Sequence, residues 1–413
     1  MTTTLITGHC IDELRKLPAE SVQCCVTSPP YWALRSYLDA DDPNKKYELG
    51  TEPTPELYVE HMVEVFREVK RVLREDGTLF LNLGDSYASS GVAGAYSDKS
   101  TLGADRWSPE AGRRYDDAKR PGRAPTPNGL KPKDLVGIPW RVAFALQADG
   151  WWLRSDCIWH KPNPMPESVT DRPTKAHEYV FLLTKSARYF WDQEAVKEEN
   201  APAYRDPTSC SRTAIKYDLD DPLNRTKRGL MEGNPMRYNG SGRNIRSVWT
   251  VATQPYSGAH FATMPAKLVE PCIKAGTSAR GACPQCRAPW ERVVERAEAG
   301  GESMPGHDKF EGQRNDTNRR GPGTSMSNDP RKRIGGTNTT LGWQPTCDCD
   351  AGEPVPCIAL DPFSGAGTAG KVCAALGRDY IGIDLSAEYN DMALERIDGT
   401  QIELPLAAAG GIE

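Results

Sequence analysis

Three groups of side chains in this sequence have the types and spacing for chemistry. Cys25-Val26-Thr27-Ser28-Pro29-Pro30-Tyr31-Trp32 is an apolar run that ends in a stiff loop. Two successive prolines fix the backbone and remove two N–H donors, which leaves carbonyls free to face a ligand. Those carbonyls and the Ser28 hydroxyl can accept hydrogen bonds from an amino group, and Tyr31 offers an aromatic face to a planar ring. Far along the chain, residues 357–368 (CIALDPFSGAGT) are an apolar strand, an acid and a Gly-rich turn that opens a helix. Gly365 and Gly367 let the backbone turn tightly and approach a ligand. One strand later, Tyr380-Ile381-Gly382-Ile383 ends in Asp384, a carboxylate placed to accept ribose hydroxyls. Finally, Cys283-Pro284-Gln285-Cys286 and Cys347-Asp348-Cys349 together supply four thiolates, the donor set of a closed, structural zinc site.

These groups need elements to hold them. Residues 23–27, 78–83, 179–184, 357–360 and 380–383 are short apolar runs ended by turn residues, the pattern of parallel strands buried on both faces. Between them lie helical periods. Val59, Met62, Val63, Phe66, Val69 and Leu73 recur at helix spacing, with Asp76-Gly77 as the stop. A second helix is expected from Asp134, as N-cap, to Ala148, and a third from Gly367 to Leu376. Strands alternating with helices predict an α/β sheet covered on both sides. The Gly-rich turn lacks the third glycine of a dinucleotide fingerprint and the Gly-Lys-Ser/Thr of a P-loop.

Together, these motifs make the sequence similar to a known family. Residues 361–370 resemble the S-adenosylmethionine loop of amino-group DNA methyltransferases, and Ser28–Tyr31 matches their (S/N/D)-P-P-(Y/F) signature. The resemblance implies a Rossmann-like α/β methyltransferase sheet. It implies that Asp361, Phe363, Gly365, Gly367, Thr368 and Asp384 hold S-adenosylmethionine, with Phe363 beside it and Asp384 on its ribose. It implies that Ser28, Pro29, Pro30 and Tyr31 receive a base flipped out of double-stranded DNA. Hydrogen bonds to the exocyclic amine would localise its lone pair towards the methyl group, so catalysis would be chiefly positioning and electrostatics. A serine at the first position is what the cytosine-N4 enzymes usually carry, whereas adenine-N6 enzymes more often have Asp or Asn. The catalytic loop precedes the cofactor loop, which resembles the circularly permuted β-type order of the family. Residues 78–87, 159–178 and 260–277 are also family-like, and the resemblance implies that His260–Leu268 contributes to the methionine pocket. One position departs from the pattern: His9 follows Gly8 where the family more often has an acid.

Three stretches interrupt the alternation: 88–130, 200–246 and 303–342, all polar and longer than ordinary loops. In the second, Arg205, Arg212, Lys216, Arg225 and Arg228 are interleaved with Tyr204, Tyr217 and Tyr238, a mixture suited to phosphates and base edges. The expected organisation is therefore a catalytic half at 1–199, target recognition at 200–250 and a cofactor-pocket helix at 251–282. A zinc-ribbon-like insertion with a basic loop follows at 283–350, and a cofactor-binding half at 351–413. A net charge of −5 neither requires nor excludes nucleic acid, since only the strip facing phosphates must be basic. No run approaches the ~20 apolar residues of a membrane span, and the start lacks a secretion signal. Cys24, Cys25, Cys157, Cys272, Cys357 and Cys373 sit in apolar runs as free thiols, so a reducing bacterial cytoplasm, for a bacterial or phage-encoded enzyme, is expected. Double-stranded DNA is the expected partner, and the resemblance admits a homodimer and a cognate restriction enzyme. Competing expectations are adenine-N6 methylation, methylation of RNA or of protein glutamine on related P-P-Y loops, and a non-catalytic DNA-binding module.

Overall fold

The computed structural model describes residues 1–34, 36–38, 41–88, 129–198, 242–254, 263–296, 338–350 and 352–400. The chain forms two compact units. One is Met1–Val196 with Arg246–Glu291 and Trp343–Glu413; the other is Lys197–Ile245 with Arg292–Gly342. In chain order the elements are β1 (Thr3–Thr7), α1 (Cys10–Lys16), β2 (Val22–Thr27), α2 (Pro55–Val72), β3 (Leu73–Leu83), α3 (Ile138–Ala148), β4 (Trp152–His160) and β5 (His177–Thr184). They continue as β6 (Val248–Thr250), α4 (Ala266–Gly276), β7 (Glu291–Arg296), β8 (Asn338–Gln344), β9 (Ile358–Asp361), α5 (Thr368–Ala375), β10 (Asp379–Asp384) and α6 (Ala387–Asp398).

Among the described residues the main sheet has the order β1-β10-β9-β2-β3-β5-β4-β6, and β7 pairs with β8 separately. The first five strands run parallel, from β1 to β3. Successive side chains of a strand face opposite sides, and both sides are covered here. Cys25, Leu79, Leu81 and Leu183 join the core formed with Leu14 of α1, Phe66 of α2 and Val142 of α3. On the other side, Gly276 at the end of α4 lies so close to Cys24 and Thr78 that a side chain there would collide with both. All six thiols expected as small hydrophobes are buried and unpaired.

Helix α2 follows from its sequence. Thr54 caps it by accepting from the Leu57 N–H at 3.2 Å, and Pro55 opens it. Tyr58, Met62, Val65, Phe66, Val69 and Val72 form its buried stripe. Burial of each contributes roughly 1.5–3 kcal/mol before the entropy of ordering.

Three local expectations change. Residues 179–184 fall within β5, which runs antiparallel to both β3 and β4. A run buried on both faces is equally apolar in either direction, so its composition carries no sign of polarity. Helix α2 ends at Val72, and Asp76-Gly77 lie within β3 at a register shift against β2. Helix α3 begins at Ile138 behind Gly137 (φ +79°), not at Asp134. Asp85, at the end of β3, satisfies the first N–H groups of α3: it accepts from Gly137 and Ile138 at 2.9 and 3.0 Å.

Candidate active site

The sheet reverses its winding between β9 and β2. From β9 the chain passes through α5 to β10 on one side, and from β2 through α2 to β3 on the other. Loops that leave two such strands diverge and open a crevice at their carboxyl ends. Both sequence motifs lie there: Ser28–Tyr31 follows β2, and the turn through Gly367 follows β9. Thr27 and Asp361 join the two loops at their roots by a buried hydrogen bond of 2.6 Å.

The Ser28–Tyr31 loop is held from several strands. The Ser28 hydroxyl donates to the Tyr31 oxygen over a long 3.2 Å. The Tyr31 hydroxyl lies 2.7 Å from Glu178 Oε2 on β5 and 3.0 Å from Asn82 Oδ1 on β3. The carboxylate is the nearer and charged acceptor, so it takes the larger share of the single hydroxyl hydrogen. Asn82 Nδ2 donates to the same carboxylate at 3.2 Å and to the Tyr179 carbonyl at 3.0 Å. Lys161 pairs with the other carboxylate oxygen, Oε1. Burial, and next the charge of Glu178, push the Tyr31 phenol well above its usual range, so it remains a neutral donor. The ring is half-buried and lies against Gly84, where an added Cβ would stand 2.5 Å from its Cε2 atom.

One of the loop's carbonyls already has a partner within the protein: the Tyr58 hydroxyl donates to the Pro30 oxygen at 2.9 Å. Tyr58 lies on the buried stripe of α2, so that carbonyl anchors the loop to the core. The carbonyls of Ser28 and Pro29 accept from no described residue.

In the second loop, Gly365 (φ +48°) and Gly367 (φ +69°) use the left-handed backbone region that glycine enters at least cost. At Gly367 a side chain would also strike Ala393 of α6, 2.6 Å away. Asp384 Oδ2 accepts from the Gly365 N–H and Oδ1 from the Ser386 N–H, both at 2.9 Å. The Leu385 N–H acts on the same carboxylate, so of its about four acceptor positions one is left over. Burial raises the Asp384 carboxyl, and the Ser386 and Gly365 N–H groups oppose the rise. Asp361 points inward, 2% exposed. Burial pushes its carboxyl up to about 7, against the bonds from Thr27 and the Phe363 N–H. Phe363 packs half-buried on the core. Thr368 is buried at the start of α5, with its hydroxyl 3.4 Å from Arg396 of α6. His9, after β1, packs its ring 5.2 Å from that of Tyr47.

The four candidate metal ligands also meet. The Sγ atoms of Cys283, Cys286, Cys347 and Cys349 all lie within 4.8 Å of one another. Four sulfurs bound at about 2.3 Å to one zinc would stand about 3.8 Å apart, so small shifts close the site. The Cys286 and Gln285 N–H groups bring the Cys283 thiol down to about 7. A side-chain hydrogen bond with Cys286, and next burial, push the Cys349 thiol up to about 12.

Glu178, Asn82, Lys161, Tyr58 and Thr27 were not singled out from sequence. Glu178 and Asn82 lie in family-like stretches, and their signal is positional: a half-buried acid and a buried amide on adjacent strands. Of the basic residues expected to face DNA, those at 205–237 lie outside the described residues, as does the start of the methionine-pocket segment at His260.

The family model N6_N4_Mtase, DNA methylase, matches residues 22–283 and 357–395, more than half of the chain, and leaves 284–356 unmatched. The Type II methyltransferase M.Cfr9I of Citrobacter freundii is 36% identical over 98% of this chain and 91% of its own length. M.SmaI of Serratia marcescens, also a Type II methyltransferase, is 35% identical over 95% of this chain and 90% of its own. Among solved structures, the PvuII cytosine-N4-specific DNA methyltransferase is similar at 14% identity and a TM-score of 0.48, over 96% of this chain and 86% of that one. At that level the likeness does not bear on substrate. The α/β sheet, the paired loops at its reversal and the length of these matches lead to one assignment: this chain belongs to the N4/N6 amino-methyltransferase family of DNA methylases.

Proposed function

We propose that the protein methylates the N4 amino group of cytosine at a specific site in double-stranded DNA, with S-adenosylmethionine as donor. Bound, the donor supplies an electrophilic methyl group on a positively charged sulfur. The chain's residues fit it at the turn after β9, where two positive-φ glycines bring the backbone close and Asp384 keeps one acceptor position open.

The observation that carries the reading is the direction of the Ser28 hydroxyl. Its hydrogen is committed to Tyr31, so it presents lone pairs to the crevice and accepts from an exocyclic amine. Such a bond, with one to the Ser28 or Pro29 carbonyl, favours a pyramidal, nucleophilic nitrogen. As the nitrogen bonds to the methyl carbon, the old carbon–sulfur bond breaks with its electron pair going to sulfur. The nitrogen must then lose one proton. The chain Ser28 Oγ to Tyr31 Oη to Glu178 Oε2 carries it away by one hydrogen shift at each link. A hydroxyl here suits a neutral acceptor role, and serine at this position favours cytosine over adenine on the family resemblance. The Type II relatives support a site-specific enzyme paired with a restriction enzyme. We assign target recognition to residues 200–250, and read the chain as the circular permutation with its cofactor half last.

Single-molecule sequencing of DNA from cells expressing the protein tests this. Cytosine-N4 methylation at one motif is expected. Adenine-N6 methylation at one motif would overturn the base assignment alone. Unmodified DNA, with purified protein methylating RNA or a protein amide, would overturn the substrate.

A further inference from the structure

We propose that Cys283, Cys286, Cys347 and Cys349 bind a zinc ion that clamps the amino-terminal edge of the sheet, opposite the methylation crevice. The four thiolates fill a tetrahedral shell of a soft divalent ion, which leaves no position for water or substrate.

The surroundings are built as a knuckle. The Arg287 N–H donates to the Cys283 carbonyl at 2.9 Å and the Cys283 N–H to the Ala288 carbonyl at 2.8 Å. Arg287 takes φ +62°, the left-handed bend that closes the loop around its two cysteines. Ala282 pairs with Val355 through both backbone groups, at 2.7 and 2.9 Å, and the Thr346 hydroxyl reaches the Pro289 carbonyl at 2.7 Å. Gly281 (φ +118°) permits the first pairing, since a Cβ there would stand 2.3 Å from the Val355 oxygen.

Two side chains fasten the knuckle to the sheet. Gln23 of β2 is 2% exposed. Its amide donates to the Arg287 carbonyl at 2.8 Å and accepts from the Ile358 N–H of β9 at 2.7 Å. Arg74 of β3 donates to the Cys286 carbonyl while its Nε holds Asp76 at 2.9 Å. The knuckle therefore touches the starts of β2, β3 and β9, the strands whose far ends carry Ser28, Gly84 and Asp361. From Gln23 to Ser28 is about 16 Å at roughly 3.3 Å per residue. At that separation the ion takes no part in methyl transfer. It ties together the strand starts and the two points where the chain leaves for residue 292 and returns at 342. The family model skips 284–356, the stretch that carries three of the four cysteines.

Elemental analysis of protein purified without added metal or chelator tests the site. One zinc per chain is expected, lost in Cys349→Ser and retained in Arg74→Ala, which keeps every ligand. Removing zinc with a strong chelator under reducing conditions should lower Tm by several degrees and leave the Kd for S-adenosylmethionine within about twofold. Arg74→Ala should also lower Tm with zinc bound. Absence of zinc, with no thiolate charge-transfer bands on adding cobalt(II) to the reduced protein, would overturn the metal site and leave the methylation reading untouched. Unchanged Tm on zinc removal, or lost methyl transfer in stripped protein that remains folded, would overturn the clamp.

Discussion

Replacing Tyr31 by Phe deletes one oxygen and leaves the ring, its contact with Gly84 and the two prolines in place. The deleted oxygen receives the Ser28 hydrogen at 3.2 Å and donates to Glu178 at 2.7 Å. Glu178 is not orphaned, because Asn82 and Lys161 still reach it. The cost to folding should therefore be that of an ordinary hydrogen bond, about 0.5–1.5 kcal/mol. The cost to the reaction should be larger. Ser28 loses the acceptor for its hydrogen, so the hydrogen is free to turn towards the amine it must accept from. The path from Ser28 to the carboxylate is cut as well. A charge-linked hydrogen bond is worth about 1.5–3 kcal/mol, which corresponds to a fall in kcat of about 10- to 100-fold. Transfer of a radiolabelled methyl group to DNA at saturating donor measures it, with the donor Kd expected to hold. Ser28→Ala alone and the double variant complete a cycle, and the two losses should be strongly non-additive because Tyr31 acts through Ser28. If kcat in Tyr31→Phe stays within about twofold of wild type, or the two losses simply add, the orientation argument fails.

Gly84→Ala places a methyl group against the ring of a tyrosine whose hydroxyl is already tied. It should lower kcat while the protein still folds, and an unaltered rate would show that the ring does not need its place. Asp384→Ala should weaken S-adenosylmethionine binding, measured by calorimetry; an unchanged Kd removes Asp384 from the ribose site. Asp361 predicts a pH effect. Its folded value, about 7, lies above its ordinary 3.8, so the native state holds the proton more tightly than the unfolded chain. The stability this contributes is complete below about pH 4 and is lost as pH rises through 7. Asp361→Asn keeps an oxygen for Thr27 and cannot ionise, so its Tm should fall less between pH 5 and 8 than that of wild type. Equal slopes would refute the assignment.

Much of the site was legible because its signals are local. Ser28-Pro29-Pro30-Tyr31 and the Gly365–Gly367 turn are contiguous, and each needs a particular backbone that few residues allow. The cysteine pairs read as one site because thiolates have few other uses in such spacing. What could not be read was contact between strands. Glu178 comes 147 positions after Tyr31 and meets it only because β5 lies beside β3. The antiparallel sense of β5 was hidden for the related reason that burial on both faces erases direction. The Tyr58 bond to Pro30 was hidden because a tyrosine on a buried stripe reads as core, which it also is. β4 was missed because Arg154 and Asp156 interrupt its apolar residues: it lies beside the short β6, and only its later half is deeply buried.

The Thr27–Asp361 bond explains why two motifs so far apart in the chain can act as one site. Each loop is stiff in itself, but stiffness does not set the distance between donor and acceptor. Reaction geometry does, and errors near 1 Å cost large factors in rate. Thr27 immediately precedes Ser28, and Asp361 is the last residue of β9. A 2.6 Å bond between them in the core fixes the roots of the two loops, and Tyr58 and Glu178 fix the far side of one. An acid buried at some cost is thus kept where a hydrophobic residue would pack more cheaply. The hydroxyl–carboxyl pair sets the spacing between adjacent strand ends with a directionality that apolar contact lacks. On this argument Thr27→Val, close in shape and unable to donate, should lower kcat more than it lowers Tm. A variant that loses stability with its kcat intact would mean that the sheet alone holds the loops in place.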